Sequence, residues 1–151
     1  MRKLLIAVLA NCALAAPAGA DTGVRLDSAV YVERTGNSGA AFARTIEPAR
    51  MLSRGDAVVL VVAWRAREGS NGFTLTSPVP AALEYQRDSR GDVEVSADGG
   101  RSWGRIGMLA IREAGGARLA TPEDVTHIRW RIPAAQAAHG SGRIAYRAIV
   151  R

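Results

Sequence analysis

The densest chemical pattern in the chain is Ser96-Ala97-Asp98-Gly99-Gly100-Arg101-Ser102-Trp103. It follows Ser-x-Asp-x-Gly-x-Thr-Trp, the Asp-box, with Ser102 in the threonine place. An aspartate at position 98 can accept backbone N–H bonds across a hairpin turn. Glycines at 99 and 100 permit positive φ at low cost, and the Trp103 ring can then fold onto the turn. In sialidases and related propellers the box recurs once per blade and is structural, away from the active site. Here it occurs once, in 151 residues, too few for a propeller. Ser96, Asp98, Gly100, Ser102 and Trp103 are therefore expected to build a structural turn, with glycan chemistry as the alternative.

Other routes to catalysis are thin. His127 and His139 are the only histidines, which leaves little material for a Ser-His-Asp arrangement. Their spacing does not suit zinc. Lys3 is the only lysine, so a phosphate loop ending in Gly-Lys cannot form. Asp92, Glu94 and Asp98 offer a carboxylate pair for glycoside hydrolysis, although a charged turn accounts for them better. The expectation is a protein that is not an enzyme and uses no cofactor or metal.

A basic face is the better binding candidate. Strand alternation puts His127, Arg129 and Arg131 on one side, and Ile128, Trp130 and Ile132 on the other. In the last strand Arg143 and Arg147 fall together, opposite Ile144, Tyr146 and Val150. If these strands pair as a hairpin with coincident polar faces, about four guanidiniums line one side and can grip phosphate or carboxylate groups. An anionic glycan or another envelope protein would suit such a face. The plainer reading is a solvated surface with Glu84 or Glu94 nearby. No stacking aromatics interleave the arginines, so nucleic acid is not expected.

Ser-Arg-Gly-Asp occurs twice, at 53–56 and 89–92. Each copy falls where a reverse turn should precede a strand, and turn composition accounts for it without an adhesive role.

Short strands must position these groups. Helical periodicity is nearly absent after residue 20. Apolar or alternating runs recur instead, each closed by Gly, Pro, Asp, Asn or Ser. Strands are expected near 24–34, 42–46, 57–67, 73–76, 83–87, 92–97, 103–112, 127–132 and 143–150. The run Val58-Val59-Leu60-Val61-Val62 suits a central strand covered on both faces. A Gly- and Ala-rich mobile loop is expected at 113–120. Thr121-Pro122-Glu123-Asp124 has the chemistry of one capped helical turn. The fold class expected is all-β: an antiparallel immunoglobulin-like β-sandwich of about seven to nine strands, with a closed barrel as the alternative.

The beginning of the chain predicts where this domain works. Arg2 and Lys3 precede an apolar run, and Ala18-Gly19-Ala20 stands just before Asp21. That is the order of a secretory signal peptide cleaved after Ala20. The expected organisation is a signal peptide at 1–20 and one sandwich domain at 21–151, periplasmic or secreted. The run is short for a membrane span. Cys12, the only cysteine, would serve a lipoprotein reading less well, because Asn11 is not the small residue such signals want. The whole chain carries 20 basic residues against 14 acidic ones, a net charge of +6. Removing Arg2 and Lys3 leaves about +4, with every remaining basic residue an arginine. That balance favours anionic partners without naming one.

From about Tyr31 to Arg151 a set of short motifs runs in a characteristic order. They are Arg54-Gly55-Asp56 before the Val-rich strand, Ser77 to Tyr85, Ser96 to Trp103, Thr121 to Trp130, and Gly140-Ser141-Gly142 with Tyr146. This arrangement resembles the Ig-like conserved-repeat domain of unknown function found in bacterial envelope proteins. Arg54 stands where that family usually has proline, and Asn71 only loosely meets its asparagine after the long strand. The resemblance implies an Ig-like sandwich in the periplasm or at the cell surface, and no particular activity.

Overall fold

The structure, a computed structural model, describes residues 23–38 and 41–151. The expected signal peptide and Cys12 lie outside the described residues. The described residues form ten strands, eight of them in an all-β antiparallel sandwich, within the seven to nine expected: β1 (Arg25–Ser38), β2 (Ala41–Pro48), β3 (Ala57–Arg65), β4 (Phe73–Pro78), β5 (Leu83–Asp88), β6 (Glu94–Ser96), β7 (Ala110–Glu113), β8 (Gly116–Leu119), β9 (His127–Ile132) and β10 (Ser141–Val150). A five-stranded sheet, in the order β2-β1-β3-β10-β5, faces a three-stranded sheet, β4-β9-β6. The remaining pair, β7-β8, stands as a hairpin of its own.

Period-two alternation explains both sheets. Val58, Val62 and Trp64 of β3 point inward with Ile144, Tyr146, Ala148 and Val150 of β10 and Leu83 and Tyr85 of β5. From the facing sheet come Leu75, Val95, Ile128, Trp130 and Ile132. Aromatic rings join the layers: Trp64 meets Phe73 edge-on at 5.3 Å, and Trp130 lies 6.1 Å from Tyr146. Each such pair contributes about 0.5–1.5 kcal/mol beyond simple burial. Gly142 is required here, since a β-carbon on it would fall 2.4 Å from the Trp64 ring.

The central strand β3 departs from expectation on one side. Val58, Val62 and Trp64 on its inner face are buried and Leu60 is half-buried, yet Val59, Val61 and Ala63 on the outer face are also only half-buried. No second layer of the described chain covers them.

The winding differs as well. Successive strands β3, β4, β5 and β6 alternate between sheets, and the chain crosses again from β9 to β10. Sheets reading β3-β10-β5 and β4-β9-β6 have the winding of a jelly roll. In an immunoglobulin sandwich the last two strands are neighbours in one sheet. Here they lie in opposite sheets, linked by Pro133 and a single helical turn, α1 (Ala134–Ala137).

Two further segments correct the expected strands. The stretch 103–112 is not one strand. Gly104 makes a lone bridge to Val95, then the chain turns at Arg105–Gly107, where Gly107 has φ +81°, before β7 begins. The expected loop at 113–120 is largely β8, paired with β7. Arg118 of β8 bridges Glu113 at 2.7 Å and Asp124 at 2.7 Å, tying the hairpin to the turn that follows. That turn, a 3₁₀ helix at Pro122–Asp124, is the capped turn expected. The Asp124 carboxylate accepts bonds from the Thr121 N–H and hydroxyl. The Arg118 guanidinium, with these donors, holds Asp124 well below the usual carboxylate range.

Candidate functional site

β6 delivers the Asp-box to the edge of the three-stranded sheet, where it closes into a dense knot. Ser96 is fully buried and its hydroxyl is saturated. It donates to Asp98 Oδ1 at 2.7 Å and accepts from the N–H groups of Gly100 at 2.9 Å and Asp98 at 3.3 Å. Asp98 accepts from the Arg101 N–H at 3.0 Å, the Ser102 N–H at 2.9 Å and the Ser102 hydroxyl at 2.5 Å. Gly99 and Gly100 take φ of +78° and +89°, the left-handed region that side chains resist. The Trp103 indole N–H donates to the Gly100 carbonyl at 2.9 Å and lays its ring over the turn. Thr126, on the approach to β9, staples the knot from outside. Its N–H and hydroxyl both bond Ser96 O, and Gly99 N–H bonds its oxygen.

Donors converging on one carboxylate stabilise its charge. The Ser102 hydroxyl and N–H, then the Ser96 hydroxyl, hold Asp98 far below the usual carboxylate range. A carboxyl so acidic is an acceptor at neutral pH and has no proton to give. The knot therefore reads as structural, and it carries Trp103 to the outer face of the sheet.

There Trp103 meets β9. The Arg129 guanidinium lies 4.5 Å from the Trp103 ring centroid, and its Nε donates to Glu94 Oε2 at 2.8 Å. Glu94 is lowered from its ordinary value, first by that bond and then by the charges of Arg129, Arg131 and Arg105. Three guanidiniums thus bear on one carboxylate. Neither Nη group of Arg129 has a hydrogen-bond partner among the described residues. Arg131 is exposed across from Thr74 of β4 and forms no ion pair among the described residues. His127 sits at the same end as the knot, with Nδ1 3.1 Å from the Thr126 hydroxyl.

Arg143 and Arg147 do not join this face. Because β9 and β10 lie in facing sheets, their polar sides point out of opposite faces of the sandwich. Arg147 pairs with Glu33 of β1 at 2.7 Å, and Arg143 stands across from Ala63 of β3. The single composite basic face expected from alternation is not formed.

Both Arg-Gly-Asp copies are turns. At the first, Asp56 accepts from Ser53 N–H at 2.8 Å and its own N–H reaches the Ser53 carbonyl, while Gly55 has φ +88°. At the second, Arg90 closes on Asp92 through two bonds of 3.1 Å, so the tripeptide's charges satisfy each other. No helix among the described residues is long and apolar enough to cross a membrane, and no group of three or more His, Cys, Asp or Glu gathers there to hold a metal ion.

One residue and one contact of the site had no separate signal in sequence. Thr126 lies 30 positions from Ser96, so nothing local marks it as the staple. The stacking of Arg129 on Trp103 depends on which edge of the small sheet β6 occupies. No family model, curated protein or solved structure matches the chain.

Proposed function

We propose that this is an exported, non-enzymatic envelope module that binds an anionic partner through the outer face of its three-stranded sheet. The observation that carries the reading is Arg129. Its Cζ lies over Trp103, 4.5 Å from the ring centroid, its Nε is held by Glu94, and neither Nη group has a hydrogen-bond partner among the described residues. A fixed guanidinium fork is what bidentate recognition of carboxylate or phosphate requires. Arg131 and Arg105 add charge beside it. The signal-peptide pattern at 1–20 supports export, and an acidic glycan or an acidic envelope protein fits the face.

Purified protein should be retained on an anionic polysaccharide column and elute with salt. The double variant Arg129→Gln, Arg131→Gln should elute at clearly lower salt, and unchanged retention would discard this face. The rival reading is a glycan-directed hydrolase using Asp98, Glu94 or Asp92. It needs a carboxyl group able to give a proton, and both Asp98 and Glu94 are shifted the other way. Turnover of chromogenic glycosides that disappears in Asp98→Asn or Glu94→Gln would reject the binding reading. Cell fractionation that finds the unprocessed chain in the cytosol would remove the envelope assignment.

A further inference from the structure

On the opposite sheet the arginines are arranged differently. Arg25 opens β1 and Arg65 closes β3, and the register sets them directly across from one another. Directly opposed residues of an antiparallel pair have β-carbons about 5 Å apart, where like charges destabilise the sheet. Arg67 follows in the next turn. All three line a recess of about 460 Å³ with Gly23, Val24 and Ala66. Arg143 of β10 stands one step along the same outer face, across Ala63 from Asp27.

None of these four arginines forms an ion pair among the described residues, nor do Asp27 and Glu68, the acids nearest in sequence. The corner thus brings three exposed arginines to one concave surface with no carboxylate at ion-pair distance among the described residues. A single carboxylate saturates one arginine fork. A phosphate-type group has enough acceptor oxygens to bridge two or three.

We propose that this recess binds a multiply charged phosphate-type anion, with Arg25, Arg65 and Arg67 as its direct ligands and Arg143 adding charge at the rim. The site lies on the sheet opposite Arg129 and stands independently of the function proposed above. It also assigns a role to Arg143, which that reading leaves unused. The anion can arrive as a free phosphate compound or as a lipid headgroup, since both present the same oxygens.

Inorganic pyrophosphate is the probe for the free form, titrated calorimetrically at constant ionic strength set with sodium chloride. Wild type should bind it, and Arg25→Gln, Arg65→Gln should weaken binding by about tenfold or more through loss of two charge-assisted contacts. Arg129→Gln, Arg131→Gln should leave it unchanged, so the two sites fail separately. Equal binding by wild type and the Arg25, Arg65 variant, or none by wild type in either arm, overturns the proposal. The second arm uses phosphatidylcholine vesicles with and without phosphatidylglycerol. Cosedimentation that needs the anionic lipid and is lost in the Arg25, Arg65 variant assigns the headgroup form. A second readout needs no ligand. At low salt Arg65→Gln alone should melt a degree or two above wild type, because it relieves the opposed charges. A lower melting temperature would show that Arg65 is structural and would overturn the site.

Discussion

Arginines serve two opposite purposes on the two outer faces of this sandwich. On the three-stranded sheet, Arg129 is fixed by a ring, a carboxylate and the knotted turn beneath them. At the corner of the five-stranded sheet, Arg25 and Arg65 face each other with no partner among the described residues. The first face has its geometry built in, and the second has only charge. Preorganisation therefore has a structural source that can be removed, the Asp-box knot. Directly opposed like charges have a cost that can be relieved.

The sharpest way to break the contrast is to untie the knot. Ser96→Ala removes a buried hydroxyl that donates once and accepts twice, so Asp98 Oδ1 loses one of its donors and the Asp98 and Gly100 N–H groups lose their acceptor. A loss of about 1–3 kcal/mol is expected, read as a lowered denaturation midpoint with an unchanged slope in urea. Retention on the polyanion column should fall with it, because the Trp103 ring no longer supports Arg129. A destabilised variant with full retention would separate the knot from the binding face.

The same knot sets a pH dependence. Asp98 is more acidic in the folded protein than in the unfolded chain, so the folded state binds fewer protons. Its contribution is complete above the unfolded value near 4 and is lost as the pH falls toward the lower folded value. Asp98→Asn should therefore cost most near neutrality. Its stability should converge on that of wild type only well below pH 4. Parallel curves across the acid range would mean that the carboxylate charge is irrelevant to the turn.

Next in size is Gly100→Ala. Space is not the obstacle, since a β-carbon there meets nothing closer than Trp103 Cζ2 at 3.5 Å. The cost is the φ of +89°, about 1–2 kcal/mol for an L side chain. Thermal melting compared with Gly115→Ala, at a glycine without positive φ, isolates that backbone term.

What could be read from the sequence follows the reach of each interaction. The knot was legible because nearly all its donors lie within Ser96 to Ser102, and turn chemistry is local. Strands β9 and β10 were legible for the same reason: alternation assigns Ile128, Trp130, Ile144 and Tyr146 to an inner face. Alternation does not say which sheet a strand joins. Arg129 and Arg147 each point outward as expected, yet from opposite sides of the molecule. Hairpin β7-β8 was hidden because Gly116-Ala117-Arg118-Leu119 has neither large alternating residues nor a buried side. Val59 and Val61 suggested cover on both faces, because apolar type records burial potential and not what supplies it.

The smallest predicted effect tests the comparison most finely. Glu94 both orients Arg129 and neutralises it, and those roles pull binding in opposite directions. Glu94→Gln keeps the side-chain shape and a carbonyl oxygen that can still accept from Arg129 Nε, while it removes the negative charge. The pair is partly exposed, with side chains 27% and 31% accessible, so the stability change should stay within about 1 kcal/mol. Retention should rise: the variant should elute at higher salt than wild type, since three guanidiniums no longer share a carboxylate. The added retention should vanish when Arg129→Gln is combined with it. If Glu94→Gln instead elutes earlier, orientation by the ionised carboxylate outweighs its charge, and the face works as a rigid fork. If the effect persists without Arg129, the gain is general electrostatics, and the two sides of the sandwich differ in geometry but not in how they bind.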